Sequence, residues 1–206
     1  MRRFLWALVV LVGCKDNDAA ASDPPPATPR QLAGIYPEKW RCDSAAPLDA
    51  LSQMLGGTVK QIDSSMSVPR GLPHPCNYEL QAQPPEYWTF DIDCRDSMKQ
   101  RADALFAQYK ATSQELAHEW NAKADAGAIK PNDAGVDLHA PGPAVEVAVG
   151  AKGLDHHGQG LIFIDDDAPC YVRVIGKDAA RRLELAKLVA KNLTFANAPM
   201  TPRAFP

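Results

Sequence analysis

The chain has 206 residues, with 22 Lys and Arg against 25 Asp and Glu, for a formal net charge of −3 at pH 7. It carries no basic run that could follow a phosphate backbone, which argues against nucleic acid as a partner. Its length fits one domain with a proper hydrophobic core.

The first element is the opening "MRRFLWALVVLVGCKDNDAA", where Arg2 and Arg3 precede an apolar run from Phe4 to Val12. As a helix that run rises about 14 Å, against a hydrocarbon core of about 30 Å, so it reads as an export signal and not as a span. It ends in "LVGC", which resembles the lipobox of bacterial lipoproteins. The resemblance implies a signal peptide over residues 1–13, cleavage before Cys14, and attachment of diacylglycerol and a further acyl chain such as palmitate to that cysteine. With about 0.8 kcal/mol for each buried methylene, several chains make such attachment effectively permanent. Loss of residues 1–13 removes two basic residues and no acidic one, leaving a formal charge of −5. Residues 14–32 lack apolar periodicity and are rich in Asp, Ala and Pro, the composition of a solvated tether. The expected location is the bacterial cell envelope. The membrane is reached through Cys14, on its extracytoplasmic side.

A single domain is expected over residues 33–196, followed by a loose tail over 197–206. "APLDALSQML" has Pro47 at a helix start, apolar residues at helical spacing, and Gly56-Gly57 as a stop. "TVKQI" reads as a short strand and "SSMSVPRGLPHPC" as a proline-punctuated loop. "CNYELQA" and "YWTFDIDC" alternate apolar and polar residues around "QPPE". A turn centred on Pro85 sets Cys76, Tyr78 and Leu80 opposite Cys94, Ile92 and Phe90, with one buried face. A long amphipathic helix follows from Asp96 towards Gly127, opened by a Ser97–Gln100 capping box. Its apolar stripe runs through Met98, Leu105, Phe106, Tyr109, Leu116 and Trp120, with core packing as its expected use. After a polar loop come strands at "AVEVAVG", "GLIFID" and "CYVRVIG", then a helix capped by Asp178 that turns Leu185, Leu188, Val189 and Leu193 inward. "PCNYEL" and "PCYVRV" echo each other, consistent with two halves sharing one antiparallel sheet.

Besides Cys14 there are four cysteines, Cys42, Cys76, Cys94 and Cys170, none in a C-x-x-C pair. That spacing argues against a zinc ribbon or a redox motif, and an even number on an exported chain implies two disulfides. Three pairings are open. Cys42–Cys76 with Cys94–Cys170 is preferred, because a Cys76–Cys94 bridge between directly paired strand positions would be strained.

The polar stretch "GLDHHGQG" holds Asp155, His156 and His157. Glycine-punctuated polar residues between two apolar strands read as a hairpin loop. The tripeptide "DHH" matches the DHH phosphoesterases, but the further aspartates and glycine-rich domain of that family are missing. "HEWNA" at His118 has alanine where a zinc-protease helix needs its second histidine. No nucleophile elbow, P-loop or Rossmann fingerprint occurs, and Asp165, Asp166 and Asp167 do not follow calcium-loop spacing. That triplet reads as a solvated hairpin tip.

The block "CDSAAPLDALSQMLGGTV", the later "PCNYEL" and the closing "VRVIGKDAARRLELAKLVAKNL" are similar in layout to actinobacterial envelope lipoproteins of unknown function and related extracytoplasmic sensor domains. That resemblance implies a binding or sensing module. The expected fold is α+β, an antiparallel sheet of hairpins packed against one long and two shorter helices, with two disulfides. The expected function is non-catalytic binding, sensing or assembly in the envelope, with no cofactor and with an envelope protein or cell-wall component as partner. Contact surfaces are expected at the proline-rich loop from Val68 to Pro75 and the polar loop from Lys130 to Pro143. The alternative is a metal-dependent envelope hydrolase using Asp155, His156, His157 and His139.

Overall fold

The computed structural model describes residues 31–64, 67–126, 142–156 and 159–205. The expected signal, Cys14, the expected tether up to residue 30, His139 and His157 lie outside them. Among the described residues the fold is α+β. Three α-helices, α1 (Leu48–Leu55), α2 (Asp96–Asp125) and α3 (Ala179–Asn192), pack on a seven-stranded antiparallel sheet. Its strands are β2 (Val59–Ile62), β3 (Cys76–Leu80), β4 (Glu86–Asp93), β5 (Val145–Glu146), β6 (Lys152–His156), β7 (Gly160–Ile164) and β8 (Tyr171–Ile175). They lie in the order β2-β3-β4-β8-β7-β6-β5, so two meanders meet at the β4–β8 seam. A small second sheet pairs β1 (Leu32–Ala33) with β9 (Arg203–Ala204).

The disulfides are Cys42–Cys76 and Cys94–Cys170, the preferred pairing. The first ties the segment before α1 to β3. The second closes the β4–β8 seam at its end.

The main core lies between the sheet and the α1 and α3 layer, and includes Leu51, Tyr78, Phe90, Phe163 and Leu185. A smaller cluster of Phe106, Leu154 and Ile162 sits beneath α2. Neighbouring residues of a strand point to opposite faces, so α2 covers the face away from α3. Strand β7 is buried on both faces: Leu161 and Phe163 meet the main core and Ile162 meets α2, which explains its unbroken apolar run. Strands β3 and β4 alternate buried residues with half-buried or exposed ones, because nothing as large as α2 covers their second face. That face carries cross-strand polar pairs instead, Asn77–Thr89 at 2.9 Å and Lys60–Glu79 at 3.2 Å.

Six expectations shift. Cys76 pairs with Phe90, and Tyr78 with Trp88, so the β3–β4 turn centres on Gln83 and not on Pro85. Pro84 and Pro85 have no N–H to give a ladder, so pairing resumes only at Glu86, and the four-residue displacement preserves which side chains are buried. Helix α2 opens at Asp96, which places Ser97 inside its first turn. Its stripe is core only at the N-terminal end: Met98 and Phe106 are buried, whereas Leu116 is exposed. The strand expected at "AVEVAVG" shortens to Val145–Glu146, since the chain turns away through Gly150. The tail is not loose: Ala198 and Met200 are buried and β9 pairs with β1, extending the folded unit to residues 32–204. Finally, "GLDHHGQG" is strand through His156, which pairs with Gly160. Gly160 has φ +95°, and an added Cβ would sit 2.5 Å from the Val174 carbonyl oxygen, so a residue without a side chain makes this reversal.

Candidate binding cleft beneath the proline-rich loop

Asp155 and His156 were expected to share a loop, but consecutive positions in β6 send them to opposite sides of the sheet. Asp155 turns towards α3, where Arg182 Nε donates to its Oδ1 at 2.7 Å and Nη2 to its Oδ2 at 2.8 Å. Arg182 is fully buried and also donates through Nη1 to the Gly176 carbonyl at 2.6 Å. Both carboxylate oxygens of Asp155 are thus engaged in a bidentate, charge-assisted pair that locks α3 to the sheet. His156 turns towards α2 and meets the Tyr109 ring edge-on, with centroids 6.2 Å apart. The Tyr109 hydroxyl donates to the Gly160 carbonyl at 2.7 Å. Among the described residues no three His, Cys, Asp or Glu side chains converge as a metal set.

The sequence carries a signal for the buried Arg182 that composition alone does not bring out. The residue lies on the same helical stripe as Leu185, Ala186 and Val189, and a charge on a buried stripe demands a partner. Asp165 belongs to a triplet whose sequence suggests a solvated tip, yet it is only 4% exposed. Its Oδ2 accepts from the Ala168 N–H at 2.6 Å and the Asp167 N–H at 3.2 Å, so it organises the β7–β8 turn from inside.

The proline-rich loop does line a concavity. Loop residues Val68, Leu72 and Pro73 face Met98 of α2 across a floor of Asp91, Tyr171 and Arg173, enclosing 340 Å³. The floor exists because α2 leaves this part of the sheet uncovered. The loop is fixed at its far end, where Pro75 runs into the disulfide-bonded Cys76. Arg173 Nε lies 3.4 Å from Asp91 Oδ2 across the β4–β8 seam. Burial raises the Asp91 carboxyl above its ordinary value, against the opposing pull of Arg173. Burial likewise raises the Tyr171 phenol, with Arg173 opposing. At the rim, Asp93 is held by Arg95, whose Nη2 donates to Oδ2 at 2.6 Å. Apolar walls around a few polar groups, at this volume, describe a small-ligand or side-chain pocket. No β4–β8 pairing could be read from sequence, so Asp91 and Arg173 were not foreseen as neighbours.

No family model, curated protein or solved structure matches the chain.

Proposed function

We propose that the protein is a lipid-anchored lipoprotein of the bacterial cell envelope whose domain binds a ligand or partner segment in the cleft beneath the proline-rich loop. The cleft carries this reading: a concavity with apolar walls and the Asp91–Arg173 pair on its floor, held by a scaffold stapled on both sides. The two disulfides support an oxidising compartment. The "LVGC" signal and the proline-containing tether support anchorage through Cys14. A tether of that kind presents a rigid domain to its surroundings while leaving it free to rotate.

The direct test is photo-crosslinking in cells, with a photoreactive residue replacing Leu72 in the full-length chain. A discrete adduct is expected that weakens sharply when Arg173→Glu is added. The same photoreactive residue at Tyr87, an exposed position away from the cleft, should give none of it. No adduct at Leu72, or an identical one from Tyr87, contradicts the reading.

A further inference from the structure

Among the described residues three charged side chains line the cleft beneath the proline-rich loop, and they differ in what they have left to offer. Asp93 at the rim is committed. Arg95 donates to it through Nε at 2.9 Å and Nη2 at 2.6 Å, and the Arg95 backbone N–H adds a bond at 3.1 Å. Asp91 and Arg173 on the floor are held only loosely. Their closest approach is Nε to Oδ2 at 3.4 Å, and neither side chain makes a hydrogen bond among the described residues. The two Nη groups of Arg173 and the second oxygen of Asp91 therefore keep their hydrogen-bonding capacity. The Asp91 and Arg173 side chains are 40% and 44% exposed, so a ligand can reach both.

The walls add little polar chemistry. Val68, Leu72, Pro73 and Met98 are apolar, and the prolines of the loop have no backbone N–H to donate. Recognition of polar groups falls to the floor pair. An anion alone would meet Arg173 but be opposed by Asp91, and a cation alone would meet Asp91 but be opposed by Arg173. A neutral group would cover both charges without compensating the hydration they lose. A ligand carrying both charges satisfies both, and each contact is then a charge-assisted hydrogen bond. Asp91 and Arg173 are directly paired residues of adjacent strands, so the ligand's charges must be equally close, as they are when ammonium and carboxylate share one carbon atom. The volume of 340 Å³ is at the small end of the range for ligand sites, about 300–1000 Å³, which leaves room for one apolar side chain beyond the charged groups.

We propose that the ligand of this cleft is a free α-amino acid with an apolar side chain. Its carboxylate accepts from the Nη groups of Arg173, its ammonium donates to Asp91, and its side chain lies among Val68, Leu72, Pro73 and Met98. The assignment rests on the cleft being the binding site.

The test titrates the full chain, with both disulfides formed, with L-leucine, following the Leu72 and Arg173 backbone amide resonances. Four further probes each change one feature. 4-Methylpentanoate lacks the ammonium, 3-methylbutylamine lacks the carboxylate, glycine lacks the apolar side chain, and N-acetyl-leucinamide has neutral amides in place of both charges. Saturable shifts with leucine are expected, with every other probe at least tenfold weaker. Asp91→Asn should weaken leucine at least tenfold and tighten 4-methylpentanoate severalfold, because the opposing charge is gone. Arg173→Gln should weaken leucine at least tenfold and tighten 3-methylbutylamine severalfold. A gain of that kind cannot come from a misfolded chain. Either singly charged probe matching leucine, or variants that lose leucine without the paired gain, overturns the proposal. N-acetyl-leucinamide matching leucine also overturns it and assigns the cleft to a backbone segment of a partner. If no probe shifts the resonances while the Leu72 photo-adduct forms, the amino acid is excluded and the cleft stands as a binding site; loss of the adduct as well removes the cleft reading too.

Discussion

At the scale of single residues, two buried acids behave in opposite ways because their partners differ. Asp155 shares a bidentate contact with Arg182 in the interior. Breaking such a pair leaves a charge without compensation, so Arg182→Met is expected to cost about 3–5 kcal/mol in chemical denaturation. The double substitution Arg182→Met/Asp155→Leu should recover much of that loss, because the remaining buried charge is gone. A double variant as unstable as the single one would show that Arg182 acts through the Gly176 and Lys177 carbonyls it also serves. Asp165 has one carboxylate oxygen without a hydrogen-bond donor among the described residues, and burial pushes its carboxyl up to about 6 from the ordinary 3.8. The folded protein then binds that proton more tightly than the unfolded chain does. Its contribution to stability is complete below about pH 4 and is lost as pH rises through 6. Asp165→Asn should flatten stability between pH 4 and 6 and raise it at pH 7.5 by about 1–3 kcal/mol. An unchanged pH profile would assign the dependence elsewhere. These two acids also show what sequence conceals. Asp155 and Asp165 sit in polar-looking strings, and only the strand pairing reveals that both face inward.

At the scale of elements, local signals were readable where local chemistry decides. Helix α1 begins after Pro47 and ends at Gly56, which adopts φ +74°, as its sequence implies. The Asp178 side chain accepts from the Arg181 N–H at 2.7 Å, capping α3 as expected. Period-two alternation located β3 and β4, but register depended on where two prolines could be tolerated, and that follows from the ladder and not from the alternation. The extent of β6 was hidden for a related reason. Polar residues in "GLDHH" suggest a loop, whereas Arg182 and α2 supply burial on both faces. The two glycines Gly56 and Gly160 separate these effects. Gly56→Ala meets open space and should cost only left-handed strain, about 1 kcal/mol. Gly160→Ala adds a clash with the Val174 backbone and should cost clearly more, at least about 2 kcal/mol. Thermal unfolding of both variants checks the order; equal losses would mean that the β6–β7 reversal relaxes without cost.

At the scale of the whole molecule, the organising feature is the antiparallel seam of β4 and β8, which joins two meanders about eighty residues apart in the chain. It sets Arg173 beside Asp91, and at its end Cys94 and Cys170 are bonded. It also leaves part of one sheet face outside the cover of α2, and the cleft is what remains between that face and the proline-rich loop. The class of fold was legible, since alternation and helical spacing are short-range properties, whereas cysteine parity implied two bridges without their order; the preferred order is the one found, although Cys76 lies opposite Phe90 and not Cys94. The cleft floor was not legible, because it is made by a long-range pairing. Each bridge closes a long loop, with separations of 34 and 76 residues, and in the chain-entropy model each contributes about 4 kcal/mol. Two such bridges are consistent with a compartment where thiols are oxidised, which is the setting the proposed export signal would give.

The measurement that tests this account most directly is the intact mass of the full chain extracted from bacterial membranes without reductant. The account predicts a chain that begins at Cys14 and carries diacylglyceryl and acyl groups, with the mass of two hydrogens missing for each of two disulfides. A chain retaining residues 1–13, an unmodified Cys14, or four free thiols at Cys42, Cys76, Cys94 and Cys170 would contradict it.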